Sequence, residues 1–182
     1  MNIYCNPLTL TIPPLRDGYD ITKVTVPHLA IDVADINPEI KEILFKLGIT
    51  VEWAEIFYRM PGAIGYIHSD LKAGDFTKIN WIYKGNQSIM TWYTVNDADV
   101  KYTSGLTSTD TKYIRYSSDD VTFAYSTNIL GPALVQVGAP HTVINPVEDR
   151  YCVCLCLSDL HGKRLTMAES QNLLQDYIIA SN

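Results

Sequence analysis

Within Tyr66-Ile67-His68-Ser69-Asp70 a histidine and an aspartate stand two residues apart. On an extended strand that spacing projects both side chains from one face, so an imidazole and a carboxylate can reach the same metal ion. Two ligands leave a site incomplete, and His141, which opens an apolar segment after Gly138-Ala139-Pro140, is the candidate third. Two imidazoles and one carboxylate on one face of an octahedral ion suit Fe(II) and leave three positions for a bidentate oxoacid and dioxygen. Nine residues after His141 comes Arg150, whose planar, always-charged guanidinium is what a buried dicarboxylate needs for two-pronged pairing. In a chain with 20 acids and four histidines a His-x-acid triplet arises easily by chance. The weight therefore rests on the order His68, Asp70, His141, Arg150.

These residues need a scaffold, and the periodicity predicts a mainly β one. Asn37-Pro38-Glu39 is a helix start, with a capping side chain, proline at the first helical position and an acid in the first turn. Ile40, Ile43, Leu44 and Leu47 then recur on one face, and Gly48 ends the helix. Beyond Gly48 the period falls to two, and β-branched and aromatic residues gather in short runs: Thr50–Met60, Gly65–Ser69, Lys78–Lys84, Ser88–Val95, Lys112–Ser117, Val121–Ser126, Ala133–Val137, Thr142–Asn145 and Tyr151–Leu157. So many short strands in about 108 residues predict a sandwich or jelly roll. Thr166-Met167-Ala168-Glu169 is a capping box, and Leu173, Leu174, Tyr177 and Ile178 would extend its helix along one stripe. The two helices are expected to cover one sheet.

Composition limits the partners. A chain of 182 residues, 47% hydrophobic and 19% charged, is expected to form a single domain over 1–182 with its β core at about 50–158. No run approaches the roughly 20 apolar residues that span a bilayer, and Met1–Pro14 does not read as a secretory signal, so a cytoplasmic location is the expectation. A net charge of −6 argues against non-specific nucleic-acid binding, which draws on clustered cations. Cys152, Cys154 and Cys156 share one strand face and read as buried thiols, because the CxxC spacing of zinc sites is missing.

Three blocks resemble the 2-oxoglutarate/Fe(II) oxygenase superfamily, in particular its aspartyl/asparaginyl β-hydroxylase-like and phage-encoded branches. They are Tyr66–Asp70, Lys78–Tyr83 with Thr91-Trp92-Tyr93, and Pro140–Asn145 running on to Arg150. The resemblance implies a double-stranded β-helix in which His68, Asp70 and His141 hold Fe(II) and Arg150 binds the distal carboxylate of 2-oxoglutarate, with Asn80 as a weaker candidate for the same ligand. It further implies consumption of O2, release of succinate and CO2, and hydroxylation of an unactivated C–H bond. Many members carry Arg-x-Ser where this chain has Cys152 two residues after Arg150, so a second hydrogen bond to that carboxylate must come from another group. Asp70 is intact, whereas halogenating members usually lack that carboxylate, which favours hydroxylation. The prime substrate is left open among a protein side chain, an amino acid, a nucleobase and another small metabolite.

Other residues have plainer readings. His28 and His161 are expected to be structural or solvent-facing, and Trp53, Trp81, Trp92 and Tyr93 to be core before they are pocket lining. Thr103–Asp110, rich in Ser, Thr and Gly, reads as a loop that could close over the metal. Two rival functions stand beside the oxygenase: a cupin-type metalloprotein, isomerase or dioxygenase, that uses no 2-oxoglutarate, and a non-catalytic β-rich binding or structural module.

Overall fold

A computed structural model describes residues 1–70, 75–85, 87–97, 103–106, 112–145 and 147–180. In chain order the strands are β1 (Cys5–Pro7), β2 (His28–Ile31), β3 (Ile49–Arg59), β4 (Ala63–Ile64), β5 (His68–Asp70), β6 (Thr77–Tyr83), β7 (Ile89–Val95), β8 (Thr103–Leu106), β9 (Lys112–Arg115), β10 (Val121–Asn128), β11 (Ala133–Gln136), β12 (His141–Asn145) and β13 (Arg150–Asp159). Helix α1 (Pro38–Lys46) lies between β2 and β3, and α2 (Met167–Leu173) follows β13.

The strands form two antiparallel sheets. One has the order β1-β11-β6-β13-β3-β2, and the other β10-β7-β12-β5-β9-β8, with β4 pairing the far end of β12. From β3 onward the chain passes repeatedly between the sheets, and its last strands return to the middle: β13 inserts between β3 and β6, and β12 between β5 and β7. Two interlocked Greek keys of this kind make a jelly roll, as the periodicity predicts, and fit the double-stranded β-helix that the resemblance implies.

Alternation along each strand of the six-stranded sheet sorts its residues. Tyr151, Val153, Leu155 and Leu157 of β13, Ile79 and Trp81 of β6, and Ala54 and Ile56 of β3 join one core with Ile40 and Leu44 of α1 and with Leu174. That core lies on the outer face of the sheet, under the helices. A smaller core, with Phe76, Met90, Trp92, Val135 and Val137, closes the barrel interior at one end. The rest of the inner face carries Glu55, Lys78, Asn80 and Arg150 beside Phe57 and the cysteines.

Both helix starts form as their residues dictate. Asn37 Oδ1 accepts from the Glu39 backbone N–H at 2.9 Å, and Thr166 and Glu169 close a reciprocal capping box. The second helix is shorter than its apolar stripe predicts. It ends at Leu173, a 3₁₀ turn spans Gln175–Tyr177, and Ile178 makes a β-bridge with Leu8. Pairing with the N-terminal segment supplies the backbone bonds that another helical turn would have made. Sequence periodicity also misses β1, β2, β4 and β8, strands of two to four residues that offer too few positions to show a period. Thr103–Leu106, expected to be loop, is an edge strand paired with β9, where Gly105 lies opposite Tyr113; residues 107–110 fall outside the described residues, as does any test of the lid. No helix among the described residues is long and apolar enough to cross a membrane.

Candidate metal centre

The ladder between β5 and β12 places His68 directly opposite His141. Opposed residues of an antiparallel pair share a face, and the two ring centroids are 4.4 Å apart. Asp70, two residues beyond His68, joins them there. Ligand-capable atoms of His68, Asp70 and His141 all lie within 4.8 Å of one another, a separation one ion can bridge.

The surroundings leave the correct atoms available. His68 Nδ1 lies 2.9 Å from the Tyr66 carbonyl and His141 Nδ1 lies 2.9 Å from that of Ala139. Each ring thus donates its Nδ1–H to backbone and keeps the Nε2 lone pair for a metal. Burial, with His68 alongside, lowers the His141 pKa to about 4, so this imidazole is neutral near pH 7. Lys78 Nζ donates to Asp70 Oδ2 at 2.7 Å, while Oδ1 faces His68 Nε2 at 3.6 Å. One carboxylate oxygen is therefore held and the other is free to ligate. Burial alone would raise the Asp70 pKa, but Lys78 and the two histidines bring it down to about 2. The donor set fits a divalent metal.

Lys78 is itself unusual, being 2% exposed. Burial would drive off its proton, but Asp70 and Glu55, the latter with Oε2 at 3.1 Å, raise its pKa well above the ordinary lysine value. Glu55 Oε1 in turn lies 3.2 Å from His28 Nε2. A chain of side chains, His28–Glu55–Lys78–Asp70, with Lys78 buried between two carboxylates, thus supports the metal carboxylate from the opposite sheet.

Arg150 begins β13 and is 4% exposed. It lines one cavity together with His68, Asp70, His141, Asn80 and Cys152. Its Nε and the Asn80 Oδ1 are buried with no hydrogen-bond partner among the described residues. A buried guanidinium N–H left without an acceptor is costly unless a ligand supplies one, and the remote carboxylate of an oxoacid would do so; Asn80 Oδ1 is itself an acceptor, which a carboxylate cannot satisfy. Two features hold the arginine in place. Gly85, at φ +69°, lies so close that a Cβ there would come within 2.6 Å of Arg150 Cβ. Asn145 Nδ2 donates to the carbonyls of Arg59, Met60 and Glu148, tying the strand ends beside it. Cys152 brings a thiol to this cavity, not the hydroxyl of an Arg-x-Ser pair.

A second, larger cavity of about 580 Å³ shares Phe57, Arg59, His68, Asp70 and Lys78 with the first and continues outward past His28, Tyr66, Tyr113 and Arg115. His28, expected to be structural or solvent-facing, is a cavity-wall residue with its Nε2 beside Glu55; His161 is exposed. Trp81 and Trp92 are core, and none of Trp53, Trp81, Trp92 and Tyr93 lines either cavity. Periodicity did not single out Glu55, Arg59, Lys78, Tyr113 or Arg115. A readable signal existed for two of them: Glu55 and Lys78 interrupt strands that are otherwise largely apolar, where an unpaired charge is seldom tolerated.

No protein-family model matches the sequence, and no curated protein does. Among solved structures, that described as structural and spectroscopic insights into the mechanism of oxalate oxidase aligns over 96% of this chain and 89% of its own, at 15% identity and a TM-score of 0.35. Procruciferin, an 11S globulin from Brassica napus, aligns over 85% of this chain at 9% identity and a TM-score of 0.33, and this chain spans 38% of the globulin. Similarities this slight leave the jelly roll standing on its own strand order and say nothing of activity.

Proposed function

We propose that this protein is an Fe(II)- and 2-oxoglutarate-dependent oxygenase that hydroxylates an unactivated C–H bond. The observation that carries the reading is the shared cavity: three candidate ligand side chains on one sheet and, lining the same cavity from the other sheet, a buried guanidinium with an unsatisfied Nε. Bound iron would supply dioxygen activation coupled to decarboxylation of the oxoacid, with succinate and CO2 as co-products. The chain's own part is placement. His68, Asp70 and His141 would hold the ion, and Lys78, bound to Oδ2, leaves Asp70 one oxygen for it. Arg150 would receive the remote carboxylate of the oxoacid, and Asn80, the weaker candidate, would add only its Nδ2–H.

A cupin-type metalloprotein without 2-oxoglutarate needs only the three ligands and rests on them alone. Arg150 separates the two readings. Anaerobic titration of the protein with Fe(II) and then 2-oxoglutarate is expected to give a weak visible charge-transfer band, and admission of oxygen to release succinate. Arg150→Ala should weaken the oxoacid step while Fe(II) uptake persists. Fe(II) uptake with no band and no succinate leaves the cupin reading; no uptake, unchanged in His68→Ala or His141→Ala, leaves a non-catalytic module.

A further inference from the structure

The five arginines of the chain divide by location. Arg16 and Arg164, outside the barrel, pair with Asp35 at 2.7 Å and Glu52 at 3.4 Å. Arg59, Arg115 and Arg150 line the two cavities, and among the described residues none of them forms an ion pair. The chain has 20 acids to 14 bases, so a shortage of carboxylates is not the reason. Arg59 sits directly across the ladder from Arg150, and like charges so placed repel unless an anion lies between them.

One 2-oxoglutarate brings two carboxylates. On the reading above, one goes to the metal and the other to Arg150, which has Arg59 across the ladder from it, and Arg115 is left over. Strand β9 delivers it opposite His68, on the side of the larger cavity. Its guanidinium carbon is 4.0 Å from the centre of the Tyr66 ring and 5.0 Å from that of Tyr113, and Nη2 donates to Tyr113 Oη at 2.9 Å. Its Nε is buried without an acceptor. Two rings fix the cation in place, and no carboxylate of a described residue answers it. The same cavity offers apolar wall from Val26, Phe57 and Leu106, and its volume falls in the range of small-molecule sites.

We infer that the larger cavity receives the prime substrate as an organic carboxylate, its carboxylate paired with Arg115 and its apolar body lying along Phe57 towards the metal ligands. The inference rests on the oxygenase reading for what happens to that substrate, and on Arg115 alone for its binding.

The test measures binding to Mn(II)-loaded protein under argon, with and without 2-oxoglutarate, using 3-phenylpropanoate and hexanoate, their amides, and phenyl phosphate. The carboxylates should bind about tenfold or more tightly than the matched amides. Arg115→Gln should erase that preference and leave 2-oxoglutarate affinity within about twofold of the parent, with Arg150→Gln doing the reverse. If Arg115→Gln melts early, Arg115→Lys carries the test: it keeps the charge without the planar fork and should lose a large part of the preference. Amides binding as well as carboxylates, phenyl phosphate outbinding both carboxylates, no carboxylate bound, or a preference that survives in Arg115→Gln would each overturn the inference. A carboxylate preference that depends on Arg115, in a protein that binds no 2-oxoglutarate, would sink the oxygenase reading and leave this one standing.

Discussion

The two faces of the six-stranded sheet are built from the same strands and share almost no chemistry. Outward, β13 presents Tyr151, Val153, Leu155 and Leu157 to a core roofed by α1 and the C-terminal helix. Inward, it presents Arg150, Cys152 and Cys154 to the cavity that holds the metal ligands. In β3, β6 and β13 the larger apolar stripe is turned away from the barrel interior, and the interior half carries charge. Stability and site chemistry are thereby placed on opposite sides of one backbone layer, and they should respond separately to mutation.

The sharpest challenge to that separation is Lys78, an inner-face residue on which folding also depends. Lys78→Met leaves Asp70 and Glu55 facing each other without their cation, and should cost about 3–5 kcal/mol in metal-free protein by denaturant titration. Added Mn(II) should recover part of this loss, because an ion beside Asp70 replaces the missing charge. No loss in Lys78→Met would mean that the buried charge chain is not a folding element.

On the outer face, Leu155→Ala should cost about 2–5 kcal/mol and leave Mn(II) affinity within about twofold of the parent. A large loss of metal affinity in that variant would break the comparison, since it would show the two faces to be coupled through the sheet.

Acid titration sharpens the inner face. Burial would raise the Glu55 pKa, but His28 and Lys78 lower it from 4.5 to about 2. Above pH 4.5 the carboxylate is charged in folded and unfolded chains alike, and its contribution is fully present. As pH falls from 4.5 towards 2 the unfolded chain takes up the proton first, and on the order of 3 kcal/mol is lost. Glu55→Gln should flatten that part of the stability profile; an unchanged slope would remove Glu55 from the network.

The smallest expected effect lies at the helical roof. Thr166→Ala removes a cap from α2 and should cost about 1 kcal/mol, lowering the melting temperature with no change in metal binding.

What the sequence made legible follows from locality. A two-residue spacing puts His68 and Asp70 on one face wherever the strand lies, and a Thr166–Glu169 capping box starts a helix whatever it packs on. The long strands β3, β6, β7 and β13 were readable for the same reason, since a period of two shows once several positions repeat it. Convergence of His141 and Arg150 on the same cavity could be anticipated only through resemblance, because no local rule joins residues so far apart.

Tertiary structure decided the rest. Strand register set His141 opposite His68, Arg59 opposite Arg150 and Arg115 opposite His68. A shift of one residue in any of those ladders would turn the side chains to the other face. It also decided that Lys78 is buried between two carboxylates, that His28 reaches Glu55, and that the expected loop at Thr103–Leu106 is an edge strand packed beside Tyr113. Residue types and short spacings are fixed along the chain, whereas a cavity's charge is a sum over strands that meet only once the sheets have closed.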